Sequence, residues 1–146
     1  MWCVGSFRFE VRQGLLCRGN FLLGLLPRFL GPLPRVGVLE LFRAGDASLL
    51  SSAWENFPHT VVEALAVGTP VIATRTGGVA EVLEDGVNGL VVEPGDVEAL
   101  TAAIDRFFTD GALAALLSEG AAPSVADYAP ERVYSRLERI LVAAAR

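Results

Sequence analysis

The sequence predicts an α/β fold, a Rossmann-like parallel sheet with helices on both faces. Three observations lead there. Short aliphatic runs, ASLLS at 47–51, VIA at 71–73 and LVV at 90–92, have the length and character of buried strands. Segments with helical apolar spacing lie between or after them, so the order strand, loop, helix, strand recurs, as it does in crossover units. The breaks fall on turn formers: Gly68 and Pro70, Gly77 and Gly78, and DGVNG at 85–89.

Residues 1–35 read as a poorly defined amino-terminal segment. Arginines interrupt its apolar clusters, and FLLGLLPRFLGPLP combines two glycines with three prolines, which break any long helix. The apolar stretch comes late for a signal peptide and is broken by Pro27 and Arg28. Leucines and phenylalanines beside Arg28 and Arg35 also fit a membrane headgroup layer, which leaves membrane surface association as an alternative for this segment.

Residues 36–146 read as one Rossmann-like domain. VLELFRAG predicts a short helix ended near Gly45, followed by the strand at 47–51. A helix over 59–67 should stop at Gly68, and Pro70 should start the strand at 71–73. After the glycine pair, VAEVLED predicts another helix, DGVNG a turn and LVV the third strand. Asp96 is placed to cap a helix whose Val97, Leu100, Ile104 and Phe107 or Phe108 recur at helical spacing and should pack on the sheet. Residues 111–119 give a further helical piece. Pro130 opens a final helix with one apolar stripe, Val133, Leu137, Ile140 and Leu141.

At 146 residues the chain is long enough to bury a core. Hydrophobic residues make up 52 % and mean hydropathy is +0.45, yet no run approaches the ~20 apolar residues that span a bilayer. Six arginines face two acids in residues 1–45, and six face fifteen in residues 46–146. The acidic main portion argues against nucleic acid as a partner. Cys3 and Cys17 have no metal-binding or disulfide spacing, which fits a reducing cytoplasm, and His59 is the one histidine. Neither a metal nor another cofactor is expected.

The chemistry concentrates in ENFPHTVVE, Glu55 to Glu63. In open parallel sheets ligands sit beyond the carboxyl ends of strands, and the loops at 55–58 and 75–78 both leave such ends, so they should face one crevice. The helix starting near His59 offers unpaired N–H groups and a positive dipole end, an arrangement suited to phosphate without a basic side chain. Glu63, one turn into that helix, is placed to accept hydrogen bonds from the vicinal hydroxyls of a ribose. Glu55 would reach hydroxyls on the far side of the phosphates. Seven intervening residues let the carboxylates bracket a diphosphate and do not make them share a proton. His59 reads as a helix-start residue, Asp85 as a turn residue, and Glu81 either as a solvated helix acid or as part of the site.

The run from Leu41 to Phe108 resembles the carboxyl-terminal domain of retaining, nucleotide-sugar-dependent glycosyltransferases of the GT-B architecture, in the glycosyltransferase group 1 family. The resemblance rests on the Glu, seven residues, Glu signature with EALAVGTPVIAT, TGG followed by Glu81, DGVNGLVV and PGD, all in register. It implies that Glu55 contacts the donor sugar as the catalytic-site carboxylate, and that Asn56, Phe57, Pro58, His59 and Thr60 cradle sugar and diphosphate. Glu63 would hold the ribose, and Gly77 and Gly78 would let the backbone approach the donor. Asn56 stands where the family commonly carries glycine, and asparagine tolerates left-handed angles.

The resemblance further implies an amino-terminal acceptor domain and a basic pair for the leaving diphosphate, and residues 1–35 match neither. The expected function is therefore transfer of a sugar with retention, with this chain as the donor-binding half. Its partners would be a nucleoside diphosphate sugar, an acceptor of unknown identity, and a chain supplying the acceptor domain. The alternative is a non-catalytic nucleotide-sugar-binding or subunit-interaction module. The expected location is cytoplasmic, with the inner face of the membrane as a surface for residues 21–35.

Overall fold

The computed structural model describes residues 30–145. The expectations for residues 1–29, including the membrane-surface reading of most of the apolar run and the cysteines, lie outside the described residues.

Pro34, at φ −64°, leads into helix α1 (Arg35–Ala44), which starts slightly earlier than its sequence pattern suggests. Then come strand β1 (Ser48–Leu50), helix α2 (His59–Ala66), strand β2 (Val71–Thr74) and the single helical turn α3 (Val79–Val82). Strand β3 (Gly89–Val92) is followed by α4 (Val97–Thr109), α5 (Gly111–Ser124), a 3-10 turn (Ala126–Tyr128) and α6 (Pro130–Ala144). The strands form a parallel sheet in the order β1-β2-β3, with Leu49 opposite Ile72 and Ile72 opposite Leu90.

β2 lies in the middle and is buried along its whole length, so it alternates its side chains between two cores. Val71 and Ala73 join Val61, Ala64 and Leu65 of α2, Phe42 of α1 and Val79 and Val82 of α3. Ile72 and Leu90 join Phe107 of α4 and Leu113 and Leu117 of α5. Helices therefore cover both faces, as the sequence predicts, and α4 packs on the sheet beneath an Asp96 cap that accepts from Ala99 N–H at 2.8 Å. Full burial of a leucine such as Leu65 or Leu117 stabilises the fold by about 1.5–3 kcal/mol.

Two further helices differ in length from their sequence expectation. VAEVLED yields only one turn, because Asn88, 1 % exposed, competes for the backbone: its Nδ2 donates to Val82 O at 3.0 Å and its Oδ1 accepts from Glu84 N–H at 2.8 Å. α5 runs past 119 to Ser124 and contains Pro123, since Leu113, Leu117, Ala121 and then Val125 keep one stripe buried at four-residue spacing. The α6 stripe exists but stays exposed: Val133, Leu137, Ile140 and Leu141 are 45–60 % accessible, and none of this helix is buried.

Among the described residues no helix is long and apolar enough to cross a membrane.

Candidate functional site

The loop leaving β1 and the loop leaving β2 meet at the carboxyl edge of the sheet. Gly78 N–H donates to Asn56 O at 3.0 Å. At Gly77, φ is +47°, and a Cβ would lie 1.6 Å from Glu55 O. At Gly78 a Cβ would lie 2.8 Å from Asn56 O and 3.3 Å from Pro58 Cδ. Both positions thus require glycine because the two loops touch backbone to backbone. This is a nearer reason than approach to a ligand, and it converts the expectation of a shared crevice into a contact.

Glu55 is half-buried and held in place. Ser52 Oγ donates to its Oε1 at 2.7 Å, and Ser52 O in turn accepts from Thr74 Oγ1, at the end of β2, at 2.6 Å. Thr74 is buried. A chain of two hydrogen bonds therefore runs from the central strand to the carboxylate, one Glu55 oxygen being engaged and the other left available. Ser52 and Thr74 carry no pattern that would mark them in the sequence.

Pro58 is buried and precedes α2, which has no side-chain cap. His59 N–H donates to Phe57 O, and those of Val61 and Val62 to Pro58 O, at 3.0–3.2 Å. The Thr60 N–H is left without an acceptor among the described residues. His59 is exposed, with its ring edge-on to Phe57 at 5.0 Å, and Phe57 also meets Tyr128 at 5.8 Å. Asn56 is exposed and has no positive φ, so the left-handed angle that asparagine would tolerate is not used.

Glu63 has a partner that sequence reading missed. Arg35 Nε, at the first residue of α1, donates to its Oε1 at 2.9 Å, with 26 % of the Glu63 side chain accessible and 77 % of that of Arg35. The two residues are 28 positions apart, and no local spacing signals the pair.

Other polar residues divide between structure and edge. Glu81 is exposed on α3, which accords with its solvated reading. Asp85 does more than turn the chain: its Oδ1 accepts from Val91 N–H at 2.9 Å and so ties the turn to β3. Arg75 and Glu93 pair at 2.9 Å just beyond β2 and β3. Thr76 is 6 % exposed and its hydroxyl has no hydrogen-bond partner. Among the described residues no group of three or more His, Cys, Asp or Glu side chains is arranged to hold a metal ion.

Comparison with known proteins gives a consistent picture. A family model described as glycosyl transferases group 1 matches residues 27–122. D-inositol 3-phosphate glycosyltransferase of Mycobacterium marinum is 38 % identical over 119 residues, covering 79 % of this chain and 26 % of the relative. The Anabaena protein HepE, solved in complex with UDP-glucose, superposes with a TM-score of 0.62 at 28 % identity, over 75 % of this chain and 30 % of its own. The C-terminal domain of a glycosyl transferase group 1 family protein from Francisella tularensis gives a TM-score of 0.54 at 30 % identity, over 57 % of this chain and 43 % of that domain. The chain thus spans about a quarter of the length of the first curated relatives it matches.

Proposed function

The chain belongs to the glycosyl transferases group 1 family and has the parallel-sheet fold of the carboxyl-terminal domain of its GT-B enzymes; from that premise we propose that residues 36–146 are the donor-binding half of a retaining glycosyltransferase. The donor is a nucleoside diphosphate sugar. The observation that carries the reading is the run from Ser52 to Glu63. There a carboxylate anchored through Ser52, a helix start with an unpaired amide at Thr60 and a second carboxylate follow one another along a loop that the glycine pair braces.

Each part has a task. Glu55, fixed by Ser52, presents its free oxygen to hydroxyls of the donor sugar and orients the anomeric carbon. The first turn of α2 places the unpaired Thr60 N–H and the positive dipole end where the diphosphate gathers charge as it leaves, so no metal ion is required on this side. Glu63 accepts hydrogen bonds from the ribose. Retention of configuration and the acceptor site belong to the same proposal, with the acceptor bound in a cleft that a further domain completes. The exposed apolar face of α6 and the small share of the relatives' length favour that need for a second domain, supplied by a partner chain or by further sequence. A non-catalytic donor-binding or subunit-interaction module has the same donor site and differs in never transferring sugar. A cytoplasmic location accords with the sparse cysteines.

Calorimetry on two variants tests the assignment. Glu63→Ala is expected to weaken binding of UDP, GDP or ADP sugars by about 1.5–3 kcal/mol, the range for a hydrogen bond to a charged group. Glu55→Gln is expected to impair binding of the sugar nucleotide more than that of the bare nucleoside diphosphate. Equal losses for the two ligands in Glu55→Gln, or an unchanged affinity in Glu63→Ala, contradict the roles given.

A further inference from the structure

We propose that Arg35 is a positioning residue for Glu63 that sets the selectivity for a ribose over a 2′-deoxyribose in the donor, an inference that rests on the ribose-binding role of Glu63 given above. Arg35 Nε engages Oε1 alone, at 2.9 Å. The carboxylate keeps a free Oε2 and the remaining lone pair of Oε1, enough to accept from two vicinal hydroxyls, while its rotation is restricted by the guanidinium. Charge matters as well. A bare carboxylate on the first turns of α2 repels the diphosphate that the same helix start attracts, and the adjacent cation offsets that repulsion.

The placement of Arg35 argues that the pair is more than a chance surface contact. A cation at the first position of α1 opposes the helix dipole, and the first turn of that helix has neither an acidic residue nor a side-chain cap to compensate. The local rule is broken where the long-range contact is made. The backbone beneath Arg35 is also fixed. Pro34 restricts the chain on one side, Val38 N–H donates to Pro34 O at 3.1 Å, and Val38, Leu39 and Phe42 seat α1 on the core that contains Val61, Ala64 and Leu65 of α2. The side chain itself is 77 % accessible, so it is the fixed backbone beneath it and the bond to Glu63, not burial, that hold the guanidinium in place.

The test titrates the whole chain with UDP, GDP and ADP and with their 2′-deoxy counterparts, in wild type, Arg35→Ala, Arg35→Lys, Glu63→Ala and the double variant. Arg35 is exposed enough for its replacement to leave the fold intact, and a thermal melt checks this. Glu63→Ala should abolish the preference for the ribonucleotide. Arg35→Ala should reduce that preference about two- to fivefold, as suits an exposed ion pair, and should add nothing in the Glu63→Ala background. Arg35→Lys should restore it in part, since a flexible ammonium supplies the charge without the guanidinium geometry. A preference kept by Glu63→Ala overturns the underlying ribose reading, as does a lack of binding to all six nucleotides. A preference lost in Glu63→Ala but untouched in Arg35→Ala overturns the proposal by itself. Equal weakening of ribo- and deoxynucleotides by Arg35→Ala, persisting without Glu63, means that Arg35 touches the ligand directly, and tighter binding by Arg35→Ala means that it competes with the ribose. Either result also overturns the positioning role.

Discussion

Replacing Gly77 by alanine links fold and site most sharply. The new Cβ would sit 1.6 Å from Glu55 O and 2.6 Å from Glu55 C, whereas ordinary contact begins near 3.4 Å, so the two loops must separate by about 2 Å. The φ of +47° is itself strained for alanine by about 1–2 kcal/mol. Separation also breaks the Gly78 N–H to Asn56 O hydrogen bond, a further ~0.5–1.5 kcal/mol. Gly77 is exposed, so its loop has room to swing outward, and the expected destabilisation is about 2–4 kcal/mol with the fold retained. The displaced Glu55 backbone should cost at least about tenfold in affinity for a sugar nucleotide, or ~1.4 kcal/mol.

Gly68→Ala is the control. Its φ of +87° carries the same kind of strain, but a Cβ there meets nothing within 4 Å, so stability should fall by about 1–2 kcal/mol with binding unchanged. Urea denaturation and calorimetry on both variants give the comparison. Wild-type donor affinity in Gly77→Ala would refute the claim that the two loops form one site.

Two further outcomes follow from the hydrogen bonds. Asn88→Ala removes the bonds to Val82 O, Glu84 N and Ser124 Oγ from a buried position, and urea denaturation should show a loss of about 2–4 kcal/mol without a specific effect on donor recognition. Ser52→Ala frees the Glu55 carboxylate and should weaken sugar nucleotide binding by about 1 kcal/mol, roughly fivefold, while affinity for the bare nucleoside diphosphate stays the same; calorimetry with both ligands checks it.

Much of the fold is legible in the sequence because its signals are local. Asp96 before VEALTAAIDRFF, Gly68 after α2 and Pro130 at the start of α6 mark ends where a few neighbouring residues decide the backbone. The departures arise where distant groups decide. α3 stops early because Asn88 takes its backbone bonds, and α5 continues through Pro123 because the far side of its stripe has a core to bury. In the site, Glu55, Glu63 and the glycine pair stand out by spacing. Their partners do not: Thr74 reaches Glu55 through Ser52, by a hydrogen bond from the end of β2 to the loop after β1, and Arg35 reaches Glu63 across 28 residues. The contact of Gly77 with the Glu55 carbonyl likewise exists only after the two crossover units have folded together.

The central claim is that the edge formed by the β1 and β2 loops holds the donor. It is tested most directly by amide chemical shifts of the isotope-labelled chain titrated with UDP-glucose, GDP-glucose and ADP-glucose. One of these should move the backbone signals of Glu55 to Glu63 and of Thr76 to Val79 in a saturable way, with Thr60 among the largest shifts and α6 unaffected. Shifts confined to α6 or α4, or none with any of the three at millimolar concentration, would contradict the account.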